Sequence, residues 1–160
     1  MNDLTSRALE LQHAAHELMY LGMDGEPVYS DTFCWLNKEV LVKSDSLFFA
    51  QSSDVEEEAN LCLALLMGYN ATIYDDGDKE QKKQMVLNRI CLVLEQLPAS
   101  LLKVRLLTYT YGEVYEEVLF QEAYAIIEGW NKDNLSSEQT EIIEELKNIE
   151  ENPYPFEEVE

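Results

Sequence analysis

The sequence predicts an all-α protein, a single compact domain of about six or seven helices. Three observations predict it. Apolar residues recur at three- and four-residue spacing along most of the chain. Residues that cap helices, and glycines or prolines that stop them, stand at the ends of these runs. Only one stretch, LTYTY at 107–111, has the chemistry of a strand. The 160 residues suit one domain, and 46% apolar against 27% charged is a globular composition.

The first helix is expected over Asp3 to Leu21. Leu4, Ala8, Leu11, Ala15, Leu18 and Met19 share a face, Asn2 or Asp3 caps it, and Gly22 stops it. GMDGEPVYSD is a loop that offers Ser30 or Asp31 as the next cap. A second helix, from about Asp31 to Lys43, carries Phe33, Leu36 and Val40 on one side. Leu47, Phe48 and Phe49 then require burial, on a short extra turn. Ser53 and Glu56 have capping-box spacing, and Asp54 with Glu56 to Glu58 complements the helix dipole. ANLCLALLMG is apolar nearly all round and predicts a central helix ending at Gly68.

Asp78 caps the fourth helix, with Leu87, Ile90, Cys91, Leu94 and Leu97 along its face, and Pro98 closes it. Ser100 opens the fifth. Gly112 suits a hairpin turn after LTYTY, but Leu102, Leu106 and Tyr109 are spaced as on a helix. Two helices, or one broken near Gly112, fit this region better. One row is Val114, Val118, Glu122, Ala125 and Gly129; another is Tyr115, Leu119, Glu122 and Ile126. Ser136 and Gln139 make a last capping box, Ile142, Ile143, Leu146 and Ile149 face inward, and Asn152 with Pro153 ends the helix. The domain is expected over residues 1–152, followed by an acidic tail at 153–160.

Charge narrows the function. There are 32 acidic residues against 11 basic ones, a formal net of −21. From Leu106 to Glu160, 15 acidic residues face two lysines. Direct nucleic-acid binding needs a basic footprint, and no stretch supplies one. An anionic membrane surface is disfavoured for the same reason, and no apolar run approaches the length of a span. The field favours a basic partner, although acidity also serves solubility alone. Cys34, Cys62 and Cys91 are odd in number and lie in apolar runs, which argues for buried free thiols in a reducing cytoplasm.

No catalytic constellation can be assembled. YDDGD fails the calcium-loop pattern, because Gly77 and Lys79 fall where ligands belong. A turn and a helix cap explain it better. His13 and His16 lack the HExxH spacing and a visible third ligand. There is no GxSxG, P-loop or GxGxxG. The expectation is a protein that is not an enzyme and uses no cofactor or metal. What remains is tyrosine, nine in number and often beside carboxylates. Most tyrosines pack in cores, yet tyrosine also anchors interfaces. The partner-binding candidates are Asp24, Glu26, Tyr29, Tyr69, Tyr74, Asp75, Asp76, Tyr111, Glu113 and Tyr115.

Three long stretches, DGEPVYSDTFCWLN, EEEANLCLALLMGYNATIYDDGDKEQKKQ and LPASLLKVRLLTYTYGEVYEEVL, resemble the UpxZ proteins of Bacteroides capsular polysaccharide loci. The resemblance runs over nearly the whole chain. It implies a transcriptional regulator that acts through a protein: UpxZ proteins antagonise UpxY proteins, NusG-like antitermination factors, of other capsule loci. It brings no catalytic motif, cofactor or set of binding residues. Two other readings stay open. A DNA mimic would space its carboxylates like phosphates on a ridge. A carboxylate-dependent hydrolase would need a pocket with converging acids. Which factors are recognised, and the oligomeric state, are open at this level.

Overall fold

The computed structural model describes residues 3–22, 25, 27–73 and 77–151. Among these residues are seven α-helices and no strand: α1 (Leu4–Met19), α2 (Ser30–Leu47), α3 (Val55–Ala71), α4 (Lys79–Gln96), α5 (Leu101–Val114), α6 (Glu117–Glu128) and α7 (Ser137–Glu151). The all-α expectation holds. The chain divides into two compact units, Met1–Leu97 and Pro98–Glu160.

In the first unit α3 is central. Every residue from Leu61 to Tyr69 is buried, and α3 packs on α1, α2 and α4. A helix so enclosed has no face to give to water, which is why its sequence is apolar nearly all round. α1 buries Ala8, Leu11, Gln12, Ala15 and Leu18, and Asp3 caps it by accepting from the Ser6 N–H at 2.7 Å. Gln12 is satisfied by donating Nε2 to the Asn60 carbonyl at 3.0 Å.

Several details differ from the sequence reading. Neither Ser30 nor Asp31 caps α2: Tyr29 holds the cap position without a side-chain bond, so the helix starts one residue early. α2 also runs on to Leu47, which is buried with Phe48 at its end, while Phe49 is 80% exposed. The cap of α3 is Asp54 in place of Ser53. Its carboxylate accepts from the Glu57 N–H at 2.8 Å, and Glu57 reaches back to the Ser53 N–H at 2.7 Å. Gly68 lies inside α3, three residues before its end, where a Cβ would collide with the Ser44 hydroxyl of α2. It permits close packing and does not stop the helix. α4 buries Val86, Ile90 and Val93, with Leu97 just beyond; Cys91 points to solvent. Asp78 stands at the cap position of α4 without a side-chain cap bond, and pairs with Lys82 at 3.2 Å.

The second unit is a three-helix arrangement in which α5 packs on α6 and α7. Ser100 caps α5 by accepting from the Lys103 N–H at 3.1 Å. α5 continues through LTYTY and Gly112. The break comes at Tyr115, a non-glycine residue with positive φ (56°), and α6 begins two residues later. Gly112 instead lies within 3.2 Å of the Ile149 side chain, measured from the position a Cβ would take. Burial of Val104, Leu107, Tyr111, Ala123, Ile127, Ile142 and Leu146 forms the core. Lys103 pairs with Glu122 across α5 and α6 at 2.8 Å. The Ser136 and Gln139 box is reciprocal, at 2.8 and 3.0 Å, as spacing predicted. The expected stop at Asn152 and Pro153, and the 153–160 tail, lie outside the described residues.

The thiols split accordingly. Cys62 is buried, and burial, then the charge of Glu58, pushes its pKa up to about 12. Cys34 and Cys91 are exposed, contrary to the expectation that all three are core. In the folded protein at pH 8, two of the three thiols will react promptly with Ellman's reagent, and the third only in denaturant. Prompt reaction of all three would mean that α3 opens readily.

Candidate protein interface on the first unit

One ion pair organises the surface where α2 ends and α3 and α4 come together. Arg89 of α4 grips Glu58 of α3 with two bonds, Nε to Oε2 at 2.8 Å and Nη2 to Oε1 at 2.9 Å. Its Nη1 donates to the Phe48 carbonyl at 3.2 Å. Ser52 Oγ donates to Glu58 Oε1 at 2.5 Å. The segment from Phe48 to Ser52 is therefore tied at both ends to one bidentate pair. Burial pushes the Glu58 carboxyl up. The hydrogen bonds from Arg89 and Ser52, with the Arg89 charge, outweigh that and hold it below the usual glutamate value.

Two hollows adjoin this pair and share it. One, of about 390 Å³, is lined by Phe48 to Ser52, Glu58, Met85 and Arg89. The other, of about 280 Å³, is lined by Asp54, Val55, Glu58, Arg89, Leu92, Val93 and Gln96. Met85, Arg89, Leu92 and Gln96 form a single stripe of α4 at i, i+4, i+7 and i+11. Together the hollows make a groove with Phe49 at one end and Leu92 (62% exposed) towards the other. Exposed apolar groups beside a hollow make this surface a candidate contact site.

Phe49 turns outward because Phe48 fills the space beneath. Lys82 Nζ stands 5.9 Å from the Phe48 ring and 5.8 Å from the Tyr69 ring. It also donates to Asp45 Oδ1 at 2.9 Å, the same oxygen that accepts from the Tyr69 hydroxyl at 2.7 Å. Phe48 meets Phe49 edge to face at 4.8 Å. Phe49 also continues a row of exposed apolar residues seven apart, Val28, Trp35, Val42 and Phe49, of which Trp35 and Val42 lie on one side of α2. The 63% exposure of Trp35 is unusual for the largest side chain.

The residues expected from sequence fall in several places. Asp24, Glu26, Tyr74, Asp75 and Asp76 lie outside the described residues. Tyr29 is 68% exposed at the start of α2. Tyr69 is wholly buried, and burial, then the bond to Asp45, pushes its phenol far up. Tyr111 is buried in the second unit, 5.4 Å from the Tyr115 ring and 5.3 Å from Phe120. Glu113 and Tyr115 are half-buried. Sequence reasoning missed Trp35, Phe49, Met85, Arg89 and Leu92. The seven-residue row that runs along α2 and just past it was a usable signal for the first two. His13 and His16 are exposed on α1. Among the described residues no group of three or more His, Cys, Asp or Glu is placed to hold a metal ion, and no helix is long and apolar enough to cross a membrane.

These features describe a small acidic helical protein with a partly apolar groove on its first unit. Over residues 8–112 the chain matches the UpxZ family of transcription anti-terminator antagonists, and it belongs to that family. It is also similar to a solved structure, the crystal structure of a transcription anti-terminator antagonist UpxZ from Bacteroides uniformis. Identity is 67%, the TM-score is 0.88, and the match covers 99% of each chain. None of the curated proteins matches.

Proposed function

We propose that this chain restrains transcription antitermination by binding an antitermination factor directly, a NusG-like protein of the UpxY type that serves another capsular polysaccharide locus. Family membership supplies the antagonism. The observation that supports a protein target is the pairing of a formal charge of −21 with a groove edged by exposed Phe49 and Leu92. Acidity of that size repels nucleic acid and draws a factor that itself carries basic surface. The mechanism is steric: the helical chain covers the face that the factor needs for polymerase or RNA. It operates in the cytoplasm, without catalysis or a cofactor.

A pull-down tests this. Purified tagged chain is offered a panel of UpxY-type factors after nuclease digestion, at low salt. Selective capture of factors from other loci is expected, weakening as salt rises. Failure of the folded chain to capture any of them would overturn the reading.

A further inference from the structure

We infer that the groove around the Arg89–Glu58 pair is the docking site for a short apolar segment with basic flanks, contributed by the antitermination factor. This rests on the function proposed above. The argument begins with what the groove offers. Its apolar walls, Phe49, Met85, Val55 and Leu92, stand beside the polar Gln51, Ser52 and Gln96, and they offer contact to apolar side chains. The charges at its centre are already matched. Arg89 donates three bonds to Glu58 and Phe48, and Glu58 also accepts from Ser52. A partner that covers this pair leaves no unpaired charge beneath it, which avoids the larger cost of burying a lone ion.

Acidic side chains lie beside the groove: Asp54 lines the second hollow, Glu56 is exposed in the same first turn of α3, and Glu95 is exposed next in sequence to the lining residue Gln96, while Lys82 near Phe48 is already paired with Asp45 and Asp78. The first turn of α3 is already capped by Asp54, so it does not call for an anion. An apolar floor with an acidic rim is complementary to a segment whose apolar residues are flanked by lysine or arginine. The same rim opposes a second copy of this chain, because acidic edge would meet acidic edge. It opposes a nucleic acid more strongly.

The test uses the full chain and a UpxY-type factor retained in the pull-down. Phe49→Ala/Leu92→Ala truncates two exposed groups, so the fold should persist, which circular dichroism checks. Titration calorimetry should show the dissociation constant rising about tenfold or more, as for other central interface residues. Val118→Ala, at an exposed apolar site in the second unit, should change it by less than about twofold. Glu56→Lys/Glu95→Lys should weaken binding and flatten its salt dependence. Binding by Phe49→Ala/Leu92→Ala within about twofold of wild type would overturn the groove while leaving the proposed function standing. Absence of binding by the wild type would overturn both. A wild-type dimer in sedimentation velocity that the double variant converts to monomer would assign the groove to a second copy, and would also overturn the inference.

Discussion

Replacing Gly68 by alanine will destabilise the protein by about 1–3 kcal/mol, the usual cost of overpacking. Alanine is the better helix former by about 1 kcal/mol, so intrinsic propensity points the other way. Overlap decides the sign. A Cβ at Gly68 would strike the Ser44 hydroxyl, with the Leu11 side chain 3.4 Å away on another side. Ser44 cannot simply turn aside. It is fully buried, and its hydroxyl donates to the Val40 carbonyl at 2.8 Å. Either that bond breaks and leaves a buried hydroxyl unpaired, or α2 moves off α3. Removing the hydroxyl removes the conflict, because the Ser44 Cβ lies at 3.4 Å from the added carbon, an ordinary contact. In a Ser44→Ala background, then, Gly68→Ala should be neutral or stabilising. Urea unfolding of the four proteins gives the coupling energy, expected at about 1–3 kcal/mol. Stabilisation by Gly68→Ala in both backgrounds would show that α2 does not approach α3 this closely.

That site shows what a sequence can hide. Glycine stops helices and also lets helices touch, and the two roles look alike in one dimension. Gly68 and Gly112 both read as helix ends, yet each lies within a helix against a neighbour's side chain. The break near Gly112 comes instead at Tyr115, a residue whose type does not suggest positive φ. The helices themselves were legible because the apolar spacing persisted for several turns in each. Isolated caps were legible too: Asp3, Ser100 and Ser136 each bond the backbone N–H three residues on. Where two cap formers adjoin, as Ser53 and Asp54 do, spacing could not choose between them. In α4 the apolar residues exceed one face. Val86, Ile90, Val93 and Leu97 won the core, which put Cys91 and Leu92 outside. The candidate surface was less legible than the fold. Tyrosine was a reasonable guide to interfaces, but exposure depends on which face a tertiary neighbour covers. Tyr69 lost its exposure to the Asp45 and Lys82 cluster, and Phe49 gained its own because Phe48 filled the space beneath.

Arg89→Met will destabilise the protein by about 2–3 kcal/mol at neutral pH, and the loss will shrink as the medium is acidified. The magnitude lies below that of a fully buried pair because the two side chains keep 28% and 24% of their exposure. The pH dependence follows from Glu58. In the wild type its carboxyl is held below the usual glutamate value, so it contributes stability above the unfolded pKa and loses it as pH falls through the folded one. Without the guanidinium, burial is opposed only by the bonds from Ser52 and Cys62, so the folded pKa of the carboxyl rises. The variant gains stability relative to the wild type as Glu58 takes up a proton, and the difference should fall below about 1 kcal/mol by pH 4. Glu58→Gln/Arg89→Met isolates the charge. It should be more stable than Arg89→Met at pH 7.5 and less stable relative to it at pH 4, because it has no carboxyl to protonate. Urea unfolding of the three proteins between pH 7.5 and 4 reads these differences, with the titration of all other carboxylates cancelling to first order. A difference between wild type and Arg89→Met that stays constant with pH would mean that Arg89 acts through its packing and its bond to the Phe48 carbonyl. In that case the charge of the pair would have no part in holding the Phe48 to Ser52 segment against α3.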